Sequence, residues 1–221
     1  MSDYQHWTVK VAVLAIWFVS VYVHEVGHAA AAYWGGDREV GKRGGFSPIR
    51  MWLTNPVMTF VLPAIILLMA GFAFPGAATR IDRERLRGKW TVTLVYLAGP
   101  AASVVVTLVM AGLYHAMPEG LVRWILAFSI LLSVMSTLLN LLPVPSLDGF
   151  GAIGPHLPAR VEKWAFRLAL PLVIGLFVFL IAYRPAGLFV QDVCMRGAEL
   201  LGVAKFDLER GLWRFMHGMP R

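Results

Sequence analysis

The chain has 221 residues, of which 58% are hydrophobic and 15% charged, with 20 Lys and Arg against 13 Asp and Glu. Ordinary soluble domains are about 45–50% apolar and about 25% charged, so this composition excludes a disordered or fibrous chain and argues for one polytopic membrane domain rather than a water-soluble globule. A formal charge of +7 in so apolar a chain points to anionic lipid headgroups rather than nucleic acid, and the single cysteine, Cys194, excludes an intrachain disulfide framework or a cysteine-rich metal site.

Charge-free stretches of about 17–25 residues locate the membrane segments. The first runs from Val11 to Val23 and continues through His24, Glu25 and His28 to Tyr33. Residues 35–50 follow, rich in glycine and basic side chains, and are expected to form a turn or a short β-hairpin at headgroup level. The second apolar stretch, Met51 to Thr79, is interrupted by Pro56, Pro63, Gly71, Pro75 and Gly76. Residues 80–89 carry five basic and two acidic side chains, a solvated loop against lipid phosphates. Trp90–Tyr114, Trp124–Leu142 and Ala165–Tyr183 are further spans, with Trp90, Trp124, Trp164 and Tyr183 near the ends, where amphipathic rings favour the interface. Strand-like alternation is weak, which disfavours a transmembrane barrel. The expected fold is therefore all-α: about four full transmembrane helices plus a re-entrant or tilted segment. Residues 1–183 make the membrane-embedded core and 184–221 an interfacial amphipathic tail.

Ionisable groups inside a membrane helix cost a few kcal/mol each and demand a reason. His24, Glu25 and His28 spell HEVGH. Residues four apart share a helix face, so the two histidines present two imidazoles to one ion, with zinc the metal of choice. Glu25 points beside that ion, where a carboxylate serves as base toward water. Gly27 and Ala29–Ala32 are small enough for a second backbone to approach closely. A catalytic zinc site takes three protein ligands. His6, His115, His156 and His217 read as terminal, interfacial or loop histidines. The remaining candidate is Asp148, in the segment NLLPVPSLDG (140–149), where Pro143 and Pro145 force the backbone out of helical geometry. Irregular backbone at membrane depth is tolerated where it is buried in protein or lines a wet cavity.

HEVGH together with Asn140-Leu-Leu-Pro143-Val-Pro145-Ser-Leu-Asp148-Gly149 resembles the paired HExxH and NxxPxPxxDG signatures of the site-2 protease family of intramembrane zinc metalloproteases. Ala98-Gly99-Pro100 also matches, although the family often carries Asn three residues beyond that proline, where this chain has Ser103. The resemblance covers roughly residues 20–155 and implies a minimal form without a separate regulatory domain. It implies that His24, His28 and Asp148 hold Zn²⁺ and that Glu25 is the general base. Asn140 then donates to the oxyanion or holds substrate backbone, and Pro143 and Pro145 line the substrate. The implied partner is a transmembrane segment of another protein, cleaved within the bilayer of a prokaryotic cytoplasmic membrane.

His24 and His28 must lie at the same depth as Asp148. Three full crossings between them would put the acid on the opposite face, so one intervening stretch is expected not to span; the proline-broken Met51–Thr79 is the candidate. Loops 35–50 and 80–89 then share one face, and their nine basic residues direct the site toward the cytoplasm by the positive-inside tendency. Residues 36–52 are expected to offer a strand edge to an unwound substrate. Two other classes compete: a catalytically silent membrane adaptor or chaperone of the same fold, against which the intact Glu25 argues, and a metal transporter, which needs polar positions along a path rather than at one depth.

Overall fold

The computed structural model describes residues 2–54, 56–72 and 81–217. Helix α1 (Ser2–Gly35) is followed by α2 (Pro48–Thr54), a π-helical turn at Val57–Val61 and α3 (Leu62–Ala70). The two long helices α4 (Lys89–Ala116) and α5 (Leu121–Asn140) come next, then the short α6 (Asp148–Ile153). The chain ends in α7 (Ala159–Arg167), α8 (Ala169–Ala182), α9 (Arg184–Glu199) and α10 (Lys205–His217).

Three of these helices are long and apolar enough to cross a membrane, and α7 with α8, bent by 58° at their junction, makes a fourth if counted as one span. Surface chemistry supports this assignment. On α4 the buried face is Val92, Val95, Gly99, Ser103, Thr107, Met110 and Tyr114, spaced three and four apart. The opposite face carries Val105, Leu108 and Val109, each more than half exposed. A helix that is apolar on both faces needs hydrocarbon on the outside.

The proline-broken second stretch contains no long helix among the described residues. The π-turn and α3 together cover Val57–Ala70, about 20 Å at an α-helical rise and short of the roughly 30 Å hydrocarbon core. Residues 55 and 73–79 of that stretch lie outside the described residues. Between the histidines of α1 and Asp148, the helices of spanning length among the described residues are α4 and α5.

The expected β-hairpin is not present: there is no strand among the described residues, and 36–47 is a succession of turns leading into α2. Local bonds close each turn, from Gly44 N to Gly41 O (3.0 Å) and from Gly45 N to Val40 O (2.9 Å). Asp37, fully buried, ties this segment down through Arg43 and through the amide of Asp82, 3.0 Å away. Backbone amides that bond within their own turns are not available for a ladder.

Helix α5 is central, buried without interruption from Ile125 to Ser133, with α1, α4, α9 and α10 packed around it. The C-terminal segment is helical, and its inward residues Cys194, Ala198, Leu208 and Phe215 join the main apolar core. Asp207 anchors it. That carboxylate accepts hydrogen bonds from Tyr114 Oη (2.6 Å), Arg123 Nε (2.8 Å) and Trp124 Nε1 (3.0 Å), which fastens α10 to the adjacent ends of α4 and α5.

Candidate metal centre

Helix α1 buries one stripe, Val9, Val13, Trp17 and Val21, and the same stripe continues through His24 and His28 to Ala32. The imidazoles therefore enter the core in register with apolar neighbours, facing α4. Gly27 makes this approach possible: a Cβ on it would lie 2.6 Å from the Ala98 carbonyl oxygen. Gly99, the centre of the AGP motif, clears the site itself. A Cβ there would fall 2.1 Å from His28 Nε2.

Asp148 reaches the site by leaving helical geometry. Helix α5 stops at Asn140, and the loop turns back through Val144–Leu147, closed by Leu147 N to Val144 O at 2.9 Å. Pro145 occupies the second position of this turn. Ser146 takes the third with φ 84°, the left-handed backbone that a type II turn requires and an L-residue adopts at a cost of about 1–2 kcal/mol. Asp148 then opens α6.

The three predicted ligands converge. His24 Nε2 lies 3.0 Å from Asp148 Oδ2, His28 Nε2 lies 3.3 Å from Asp148 Oδ1, and the two Nε2 atoms are 3.1 Å apart. Tetrahedral zinc with bonds of about 2.0–2.1 Å sets its donors about 3.3 Å from one another, close to the separation of the two nitrogens and of each nitrogen from its nearer carboxylate oxygen. The outer nitrogens decide what fills it. His28 Nδ1 is 2.7 Å from the Val95 carbonyl oxygen, an acceptor, so Nδ1 carries the proton and Nε2 a lone pair in the neutral ring. His24 Nδ1 is 2.8 Å from Ser103 Oγ. Pro100 lacks the amide that would bond the Tyr96 carbonyl, and the Val95 carbonyl one residue earlier is the one turned to His28. The His28 lone pair, His24 Nε2 and a carboxylate face each other in a buried space, and Asp148 Oδ2 accepts no hydrogen bond despite its proximity to His24. Such a cluster of acceptors is stable around a cation, and the donor set of two imidazoles and one carboxylate fits zinc. Among the described residues this is the group of histidine and acidic side chains placed to hold a metal.

Glu25 is buried on α1 directly after His24. Asn140 is buried at the C-terminal end of α5, Pro145 is buried in the following loop, and Pro143 is exposed. The histidines set aside in the sequence lie elsewhere: His115 Nε2 meets the Leu201 carbonyl at 3.0 Å, and His156 meets Thr93 Oγ1 at 2.9 Å. Sequence reasoning left Ser103 without a role and did not single out Gly99 as the clearance for His28. Their signal is the AGP motif with its serine three residues on, which acquires meaning once α1 and α4 are known to cross there.

The chain is similar to several bacterial proteins. It is 36% identical over 176 residues to "Putative zinc metalloprotease Rip2" of Mycolicibacterium smegmatis, an alignment covering 75% of this chain and 68% of the relative. It is 32% identical over 181 residues to the protein of the same name from Mycobacterium tuberculosis, covering 77% and 68%. To "Putative zinc metalloprotease YwhC" of Bacillus subtilis it is 29% identical over 187 residues, covering 78% and 80%. No family profile and no solved structure matches the chain. With two imidazoles and a carboxylate arranged for zinc between membrane-length helices, and with relatives of this kind along three quarters of its length, the chain belongs to the site-2 protease family of zinc metalloproteases.

Proposed function

We propose that this protein is an intramembrane zinc endopeptidase that hydrolyses peptide bonds in or near transmembrane segments of other membrane proteins. The observation that carries the proposal is the position of the donor triangle. It is built on the buried stripe of a helix long enough to cross the bilayer, so a peptide reaches it at membrane depth.

Zinc held by His24, His28 and Asp148 supplies Lewis acidity toward a peptide carbonyl and brings the pKa of water toward about 7. Glu25, adjacent to His24, takes the proton of the attacking water as the new C–O bond forms and delivers it to the amide nitrogen as the C–N bond breaks. Asn140 donates its amide hydrogen to the developing oxyanion or to the substrate backbone, and the loop carrying Pro143 and Pro145 lines the approach. The described backbone of 36–54 supplies no strand edge, so substrate contact is assigned to the 140–148 loop. The carboxylates of Asp148 and Glu25 together balance a divalent cation, which lowers the cost of burying it.

The site faces the cytoplasm in this proposal. Segments 36–50, 81–89 and 159–167 hold 11 of the 20 basic residues but 5 of the 13 acidic ones. They belong to one end of the molecule, joined by Asp82 N to Asp37 Oδ2 (3.0 Å) and by the Arg83–Glu162 ion pair (2.8 Å). The positive-inside tendency directs that end inward. Residues 184–217 lie at the opposite interface, with Phe189, Leu200 and Phe206 turned outward toward lipid.

The test is cleavage of single-span substrates with helix-breaking residues, in proteoliposomes loaded with zinc, comparing wild type with Glu25→Gln. Loss of cleavage by about 10²–10⁴-fold at unchanged zinc content is expected. Full cleavage by the variant, or zinc flux across the vesicle without cleavage, refutes the proposal.

A further inference from the structure

Each imidazole of the centre presents Nε2 to the ion because its Nδ1 is engaged on the far side. For His28 the acceptor is main chain, the Val95 carbonyl at 2.7 Å, which no substitution removes. For His24 the partner is a side-chain hydroxyl, Ser103 Oγ at 2.8 Å, which has the lone pairs to accept that proton. We infer that Ser103 is a positioning residue of the metal centre, a neutral hydroxyl that holds His24 in its Nδ1–H tautomer and sets the zinc affinity of the site. This inference rests on the reading of His24, His28 and Asp148 as the ligand set.

Ser103 is itself fixed. It is 6% exposed and lies one turn beyond Gly99 on the α4 face that meets α1. Its carbonyl accepts from Thr107 Oγ1 at 2.8 Å, and Thr107 Oγ1 pairs with Ser133 Oγ of α5 at 2.7 Å. Thr137 Oγ1 then donates to the Ser133 carbonyl at 2.8 Å. These hydroxyls hold the Ser103 turn between the helix that carries the histidines and the helix that leads to Asp148. The imidazole is thus oriented by a group that cannot drift independently of the third ligand.

The chemistry of the acceptor matters as much as its position. A metal-bound histidine commonly donates its other N–H to an acceptor that fixes tautomer and ring plane, and removing such a partner typically costs 10–100-fold in metal affinity. Without Ser103 Oγ, the Nδ1–H of His24 loses its acceptor, and in the alternative Nε2–H tautomer the nitrogen aimed at the ion has no lone pair to give. A hydroxyl does this without charge. Asp148 and Glu25 already match the two positive charges of zinc, so a carboxylate at position 103 would leave excess charge in a low-dielectric interior.

The experiment uses the full chain in detergent, with zinc affinity measured by competition against a chromophoric chelator and Co²⁺ absorption as a report on ligand geometry. Ser103→Ala is expected to bind zinc about 10–100-fold more weakly, with an altered Co²⁺ spectrum and an unchanged melting temperature of the metal-free protein. Ser103→Asn, whose side-chain carbonyl can accept the same proton, is expected to recover affinity to within about threefold of wild type. An alanine variant within about twofold of wild type, or an asparagine variant as weak as alanine, overturns the inference. If metal-free Ser103→Ala melts early, Ser103→Thr decides the matter: it retains the hydroxyl, and weak binding by it overturns the positioning role. Asp148→Ala measured alongside separates the two levels. If it keeps wild-type affinity, the ligand set has failed; if it loses zinc while Ser103→Ala does not, the positioning role alone has failed.

Discussion

Replacing Gly99 with alanine tests how tightly α4 is fitted around the centre. The added Cβ would lie 2.1 Å from His28 Nε2, 2.4 Å from Cε1 and 2.7 Å from Cδ2, whereas ordinary contact begins at 3.4 Å. The ring must therefore retreat by about 1.3 Å at Nε2, or α1 and α4 must separate by a comparable amount, and ligand bonds tolerate deviations of about 0.2 Å. The imidazole cannot swing aside cheaply, because Nδ1 is held by the Val95 carbonyl and the side chain is buried. Overpacking of this kind costs about 1–3 kcal/mol in stability. The larger effect is on the metal: displacing a direct ligand should weaken zinc binding by more than the roughly 100-fold upper range for a supporting residue. Chelator competition on the purified variant, with a melting curve beside it, reads both quantities. A Gly99→Ala protein that holds zinc at wild-type affinity would show that His28 is not a ligand in the geometry described, and the argument from helix clearance would fall.

Two further outcomes concern stability, one at the α10 anchor and one at the metal centre. Burial alone would raise the Asp207 carboxyl, but the hydrogen bonds from Tyr114, Arg123 and Trp124 outweigh it and hold its pKa below the usual carboxylate value. A depressed folded pKa contributes stability that is present above the unfolded value, about 3.9, and lost as pH falls through the folded one. Acid melts should therefore show the docking of α10 weakening below about pH 4, and Asp207→Ala should cost about 3 kcal/mol near neutrality and flatten that dependence; an unaffected acid limb in the variant would contradict this. Metal removal should destabilise the folded protein reversibly: at zinc 100-fold above its dissociation constant, binding adds about 2.7 kcal/mol, lost on chelation and regained on adding zinc. A melting temperature indifferent to chelator would argue against a site preformed by folding.

Much of the centre was legible before any coordinates. HEVGH places two imidazoles on one helix face by period alone, and two prolines ahead of Asp148 announce that the chain leaves helical geometry where the acid appears. Depth matching singled out Met51–Thr79 as the stretch expected not to span, and its described part holds α3 of nine residues. The supporting shell was not legible in the same way. Ser103 and Gly99 act across an interhelical contact, and nothing in the local pattern of α4 says that His24 or His28 will be the neighbour. For residues 35–50 the sequence left a turn and a short β-hairpin both open, and turns are what form; glycine and basic residues signal a reversal without stating which hydrogen bonds close it. For the tail, the amphipathic pattern predicted helices correctly. Their inward faces join the α5 core because Asp207 finds donors on α4 and α5, a long-range match that periodicity does not encode.

The central claim is that one zinc ion is held jointly by two histidines of the first helix and by Asp148, 120 residues beyond His28. Zinc X-ray absorption on the purified protein, wild type against Asp148→Ala, addresses it most directly. The account predicts stoichiometric zinc in wild type with two imidazole nitrogens and carboxylate oxygen at about 2.0–2.2 Å, and loss of the metal or of that oxygen from the shell in the variant. Stoichiometric zinc with an unchanged ligand shell in Asp148→Ala would contradict it.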